Sequence, residues 1–299
     1  MSIKIGVSPI AWSNDDFPDL GGDITLEQCL KETNEIGFSG IEAGGKFPKS
    51  SIELIPKLEK ENLKLCSGWY GANLLKNTVK EEILIMENQL ELFKECSAPC
   101  MVVAEVSGSI QGQVKKPLSK RPVLNNDEWK ILYSRVSEIS KYMQDKGVPL
   151  AYHHHMGTVV QSQEDTERLI DNTSDTVKLL IDTGHMMFAG GDFAKVAKDY
   201  SSRLHHVHCK DIRKDVLDTA LKNDLSFIDA FFAGAFTVPG DGCINYKHFL
   251  KILKDLNYEG WLVVEAEQDP KKANPFEYGK IGFNHLKKIA LDCGFEITR

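Results

Sequence analysis

The sequence predicts a single α/β domain, residues 1–299, folded as a (β/α)8 barrel. Three observations predict it. Short apolar, β-branched runs alternate with longer amphipathic stretches along the whole chain, the rhythm of parallel strands joined by helical crossovers. Eight such runs occur in order. Polar and charged residues collect just beyond their C-terminal ends, the face on which a barrel of this kind carries its chemistry.

Strands are expected at 3–8, 38–43, 63–69, 101–106, 150–155, 177–182, 204–210 and 261–265. Their nearly continuous apolar character is that of strands buried on both faces. Thr25 and Gln28 have the spacing of a capping box, so a helix opens there and ends near Gly37. Residues 80–94 repeat apolar side chains at helical spacing, and the last helix is expected over 278–291. A doubly wound open sheet is the structural alternative. It needs a glycine fingerprint at the switch point, and Gly6-Val-Ser after the first strand is not one. Two connections exceed simple turns: 107–127, with basic Lys115, Lys116, Lys120 and Arg121, and 211–242, which ends in Pro239-Gly-Asp-Gly242. Long loops over a barrel mouth are usually lids or binding loops, and the first is expected to be a mobile lid.

The formal net charge is −7, with Lys and Arg scattered, so no surface is marked for neutralising the phosphates of a nucleic acid. No stretch approaches the roughly 18 apolar residues of a membrane span. The opening MSIKIGVSPI lacks the basic and apolar regions of a signal peptide, so a cytoplasmic protein is expected, with no membrane partner. Seven cysteines, an odd number at wide spacing, read as reduced and mostly buried thiols.

The strongest chemical signal lies in three successive strand ends: Asp182-Thr-Gly-His185, His206-Val-His208-Cys-Lys210-Asp211 and Glu265-Ala-Glu267. A single strand-end His or Asp more often caps a helix or bonds a backbone carbonyl than binds a metal. Three in register on consecutive barrel strands can instead converge on one cation, and the metal reading is favoured. Oxygen and nitrogen donors without thiolate suit Mn2+, Co2+, Mg2+ or Zn2+, with Mn2+ or Co2+ preferred over a closed zinc site. Asp211 has the alternative of capping the following helix. His185 either orients Asp182 or hydrogen-bonds a substrate hydroxyl.

These residues resemble the xylose-isomerase-like barrel superfamily and, within it, the inosose dehydratase family. The resemblance runs through Ser8-Pro-Ile-Ala-Trp12, Gly37-Phe-Ser-Gly-Ile-Glu-Ala-Gly44, Tyr152-His-His-His-Met-Gly-Thr158, Phe236-Thr-Val-Pro-Gly-Asp-Gly242 and Gly260-Trp-Leu-Val-Val-Glu-Ala-Glu-Gln-Asp-Pro270. It implies Asp182, His208 and Glu265 as metal ligands. Related isomerases carry a Glu on strand five, where this chain has His153, His154 and His155. His153 and His155 share strand parity, which leaves the fourth ligand open between them and counts against isomerase chemistry.

The activity implied is loss of water from 2-keto-myo-inositol, giving a trihydroxycyclohexane-1,2-dione in myo-inositol catabolism, with glutathione as an added cofactor in the family. Glu267, His155 and Lys210, each within two residues of a ligand or candidate ligand, are the proton-transfer candidates. Glu42, His153 and His185 are the candidates for binding a small polyol ketone, and Trp12 and Trp69 for lining its pocket. A homo-oligomer is a further expectation, since such barrels often assemble. The alternatives are a metal-dependent ketose isomerase or epimerase on the same barrel, an endonuclease-like phosphodiesterase, disfavoured by the acidic balance, and a non-catalytic sugar binder, which leaves the metal set unexplained.

Overall fold

The computed structural model describes residues 1–15 and 17–299 of the chain. Eight parallel strands, β1 (Ser2–Val7), β2 (Gly40–Ala43), β3 (Lys64–Ala72), β4 (Met101–Glu105), β5 (Leu150–His153), β6 (Lys178–Asp182), β7 (Leu204–Cys209) and β8 (Gly260–Val264), pair with their neighbours in order. Pairing of β8 with β1, from Ile3 against Gly260 to Val7 against Val264, closes the barrel. Closure removes exposed strand edges, and a short terminal strand, Glu296–Ile297, adds to β1 at the amino end. Among the described residues no helix is long and apolar enough to cross a membrane.

Crossover helices form where local chemistry predicts them. The first, α1 (Leu26–Ile36), starts at Thr25, whose hydroxyl accepts from the Gln28 backbone N–H at 3.1 Å. The box is only half built, because the Gln28 side chain turns to Glu32 instead. Gly37 ends the helix at φ 110°, a left-handed conformation that favours glycine. Full capping boxes, Thr78 with Glu81 and Asn125 with Glu128, open α2 (Val79–Glu95) and α3 (Asn126–Asp145). Strand β3 runs three residues past its expected end because Trp69 to Ala72 pair in register with Val102 to Glu105. Gly68 is small for a reason: a Cβ there would lie 2.6 Å from the Phe93 ring.

Two apolar layers and one polar layer position the site. The main core lies between barrel and helices and includes Ile5, Phe38, Leu54, Met86, Phe93, Leu132, Phe249 and Leu286. Small side chains such as Cys66, Cys100, Ala151 and Val263 fill the barrel floor. Above the carboxyl ends a second apolar cluster, with Leu118, Met156, Phe188, Leu217, Phe227 and Phe236, forms a roof; each large side chain buried there contributes about 2 kcal/mol.

Both long connections build that roof, and neither is a loose loop. The second contains α4 (Lys214–Lys222), α5 (Phe227–Phe232) and an antiparallel pairing of Asp211–Ile212 with Phe236–Thr237. The first, expected to be a mobile lid, is fastened along its length. Ile110 N–H donates to Gly157 O at 2.9 Å, Leu118 enters the roof cluster, and Ser119 N–H donates to Asp224. Arg121 is half-buried between the Asp165 carboxylate, 2.7 Å away, and the Val159 carbonyl at 3.2 Å. The Arg121 charge is spent on a shielded pair and backbone acceptors.

Candidate metal and proton-transfer site

His153 ends β5, Asp182 ends β6, His208 lies in β7 and Glu265 follows the last residue of β8. Asp182 and His208 are paired in register, as are His208 and Val263. Alternating side-chain direction turns these positions into the barrel. His208 Nδ1 is 2.8 Å from Glu265 Oε2 and 3.6 Å from Asp182 Oδ2, and His153 Nε2 is 3.5 Å from the same Asp182 oxygen. These four atoms are buried, and none makes a hydrogen bond with proper geometry. An unpartnered buried polar atom costs about 1–3 kcal/mol, more when charged. His153, Asp182 and His208 offer atoms close enough together to share one cation, with Glu265 Oε2 beside His208, and the mixed oxygen and imidazole set fits a divalent one.

Electrostatics agree. Burial would raise the Asp182 carboxyl, but Lys210 and His185 outweigh it and hold Asp182 well below the usual range. Burial likewise opposes charge on His208, yet Glu265 and Glu42 push the ring well above its ordinary value.

Lys210 stands beside this group, completely buried. Its Nζ lies 2.8 Å from Glu267 Oε1, 2.9 Å from His185 Nε2, 3.0 Å from Glu265 Oε2 and 3.4 Å from Asp182 Oδ2. Its stem crosses Gly184, where a Cβ would approach Lys210 Cγ to 2.6 Å. Burial pushes the Glu267 carboxyl up to about 7; Lys210 opposes that rise and Glu265 adds to it. His155 is held well below its ordinary value by burial, then by His153 and Lys210, and stays neutral. Its Nδ1–H donates to Met156 O at 2.9 Å, so Nε2 is the atom left to act as a base.

A cleft opens over these groups. Ser8, Asp15, Trp69 and Gln111 line it together with His155 and Glu267. Trp69 is on the wall as expected, edge-on to His153 and His155 at 5.5 and 5.4 Å. Trp12 is not: it is buried in the main core and its indole N–H donates to Glu32. His185 is completely buried against His155, with ring centroids 3.9 Å apart. His154 accepts from the Asp182 backbone N–H at 3.3 Å. Asp211 caps no helix; its carboxylate accepts from the N–H groups of Ile212, Gly240 and Ile244 and shapes the Pro-Gly-Asp-Gly turn. Glu42 is buried in the wall of the cleft and takes donors from Ser67 and His208. Ser67, Asp15 and Gln111 escaped sequence reasoning; Asp15 and Gln111 sit in loops with no periodicity, while His206 carried a faint signal as the first His of His-x-His.

A closed parallel barrel with its titratable groups on the carboxyl ends defines the general class, and the model of the xylose isomerase-like TIM barrel family matches residues 30–289. Among curated proteins, the rhizopine catabolism protein MocC of Rhizobium meliloti is 43% identical over 298 residues, covering 100% of this chain and 92% of its own. Inosose dehydratase 2 of Bacillus cereus is 44% identical over 279 residues, 93% of this chain and 94% of its own. The chain therefore belongs to the inosose dehydratase family of xylose isomerase-like TIM barrels. Solved structures share the fold at low identity: the IolI protein with a bound zinc atom at 16% identity and TM-score 0.67, covering 97% of this chain and 98% of its own, and L-ribulose 3-epimerase at 14% and 0.69, covering 97% and 95%.

Proposed function

We propose that this chain is a metal-dependent hydro-lyase that removes water from 2-keto-myo-inositol to give a trihydroxycyclohexane-1,2-dione. The observation that carries the reading is the cluster of four buried nitrogen and oxygen atoms that make no hydrogen bond, beside a buried Lys210 and Glu267, in a chain 44% identical to a protein named inosose dehydratase. His153, Asp182, His208 and Glu265 would hold the cation, with Mn2+ or Co2+ suited to the donors; this adopts His153 rather than His155 as the fourth ligand. A bound divalent cation supplies Lewis acidity toward a ketone oxygen.

The protein's own groups divide the proton transfers. His155, neutral and with Nε2 free, takes the proton from the carbon next to the ketone. Glu267, its carboxyl pushed up to about 7, gives a proton to the departing hydroxyl, which leaves as water. Lys210 remains a fixed positive charge that keeps Asp182, Glu265 and Glu267 together. The seated roof restricts water around these groups.

The test is turnover of 2-keto-myo-inositol, followed by the ultraviolet absorbance of the conjugated dione, after chelation and reloading with Mn2+ or Co2+; adding glutathione to the loaded enzyme checks that requirement. His153→Gln should lose bound metal, whereas His155→Gln should keep metal and lose roughly 100 to 10,000-fold in rate. Full activity in chelated protein free of tightly held metal overturns the metal reading. Conversion of a ketose to its epimer with no dione would point to the isomerase alternative.

A further inference from the structure

His208 uses its two ring nitrogens in opposite directions. Nδ1 turns toward Asp182 and Glu265, while Nε2 lies 2.9 Å from Glu42 Oε1. Glu42 comes from β2, which does not adjoin β7 in the closed barrel, so its carboxylate reaches His208 across the interior. It is fixed there from the other side as well. The Ser67 hydroxyl donates to Glu42 Oε1, His206 Nε2 lies 3.4 Å from that oxygen, and Ser67 Oγ and His206 Nε2 are 3.1 Å apart. Four polar side chains thus meet above a floor of small apolar residues that includes Cys66, Cys100 and Val102. A carboxylate placed this deep is costly unless its oxygens are matched by donors.

We infer that Glu42 is a positioning residue: it holds the Nε2 proton of His208 and fixes the ring so that Nδ1 faces Asp182 and Glu265. Resting on the metal site proposed above, the inference deepens it. Imidazole ligands are commonly oriented by a carboxylate on the nitrogen that does not meet the metal, and losing that partner typically weakens metal binding by about 10 to 100-fold. Ser67 and His206 act one step further out, by holding the carboxylate.

The experiment combines metal titration with imidazole N–H spectroscopy on the full chain. Metal-free parent should show a downfield imidazole N–H proton signal that disappears in His208→Gln. In Glu42→Gln that signal should move upfield or vanish, and Mn2+ should bind about 10 to 100-fold more weakly, with the circular dichroism spectrum unchanged. Ser67→Ala, which leaves the Glu42 to His208 bond in place, should keep the signal and bind Mn2+ within about threefold of the parent. Should Glu42→Gln not fold, Glu42→Asp, which keeps the charge but withdraws it by one methylene, should show both losses. An unmoved signal with parental Mn2+ affinity in the Glu42 variants overturns the inference. If the parent itself takes up no cation, the metal reading fails, and the signal in metal-free protein alone decides whether Glu42 holds His208.

Discussion

Glu267→Gln separates burial from attraction at one carboxylate. The Lys210 ammonium 2.8 Å away would favour the charged form by about 6 kcal/mol at an effective dielectric constant of about 20. That single cation is shared with Asp182 and Glu265, 3.4 and 3.0 Å from it, so the third carboxylate gains little net attraction and loses its hydration. The folded carboxyl accordingly rises from the ordinary 4.5 to about 7. Below pH 4.5 Glu267 is protonated in both folded and unfolded chains and has no effect on stability. Between 4.5 and about 7 the folded state keeps a proton that the unfolded state has released, so stability falls as pH rises. Above pH 7 the loss levels off at about 3 kcal/mol. A Gln amide never ionises and can still accept from Lys210. In chelated protein, urea unfolding at pH 5, 6, 7 and 8 should therefore show Glu267→Gln gaining on the parent up to a plateau of about 3 kcal/mol; in metal-loaded protein the dehydratase rate should fall roughly 100 to 10,000-fold with metal binding retained. A variant less stable than the parent at pH 8 would mean that the Lys210 attraction exceeds the burial penalty, and the assignment of Glu267 as the acid would fall with it.

Two further outcomes follow from packing. Arg121→Ala leaves the buried face of Asp165 without its 2.7 Å partner and frees the Val159 carbonyl; we expect a loss of about 1–3 kcal/mol in chemical denaturation and a raised KM, because Gln111 belongs to the loop so tethered. Unchanged stability would show the loop to be independent of the barrel. Gly184→Ala would place a methyl 2.6 Å from Lys210 Cγ; displacement of the lysine should cost about 1–3 kcal/mol and depress kcat more than it raises KM, and a variant with parental kcat and melting temperature would refute that close fit.

The barrel was legible before any coordinates because its signal is local and repeated. Apolar runs with helical stretches between them demand parallel strands buried on both faces, and the fixed alternation of side chains then puts Asp182, His208 and the residues after β8 around one axis. Composition alone was enough to argue against a nucleic-acid surface. Parity could not choose between His153 and His155, since both share it; the proposed preference for His153 rests on where β5 stops. At His153 the strand ends, and the chain bends so that His155 binds Met156 O while His153 meets Asp182. Loop behaviour was misread for a related reason. Arg121 belongs to the expected mobile lid, yet Asp165 and the Val159 carbonyl, the latter 38 residues away, tie it down. The same holds for Glu42 and His208, which are separated by 166 positions, and for the upward shift of Glu267. Those properties depend on distances between distant segments and on how much water the closed barrel excludes, and a sequence fixes neither until the eighth strand has paired with the first.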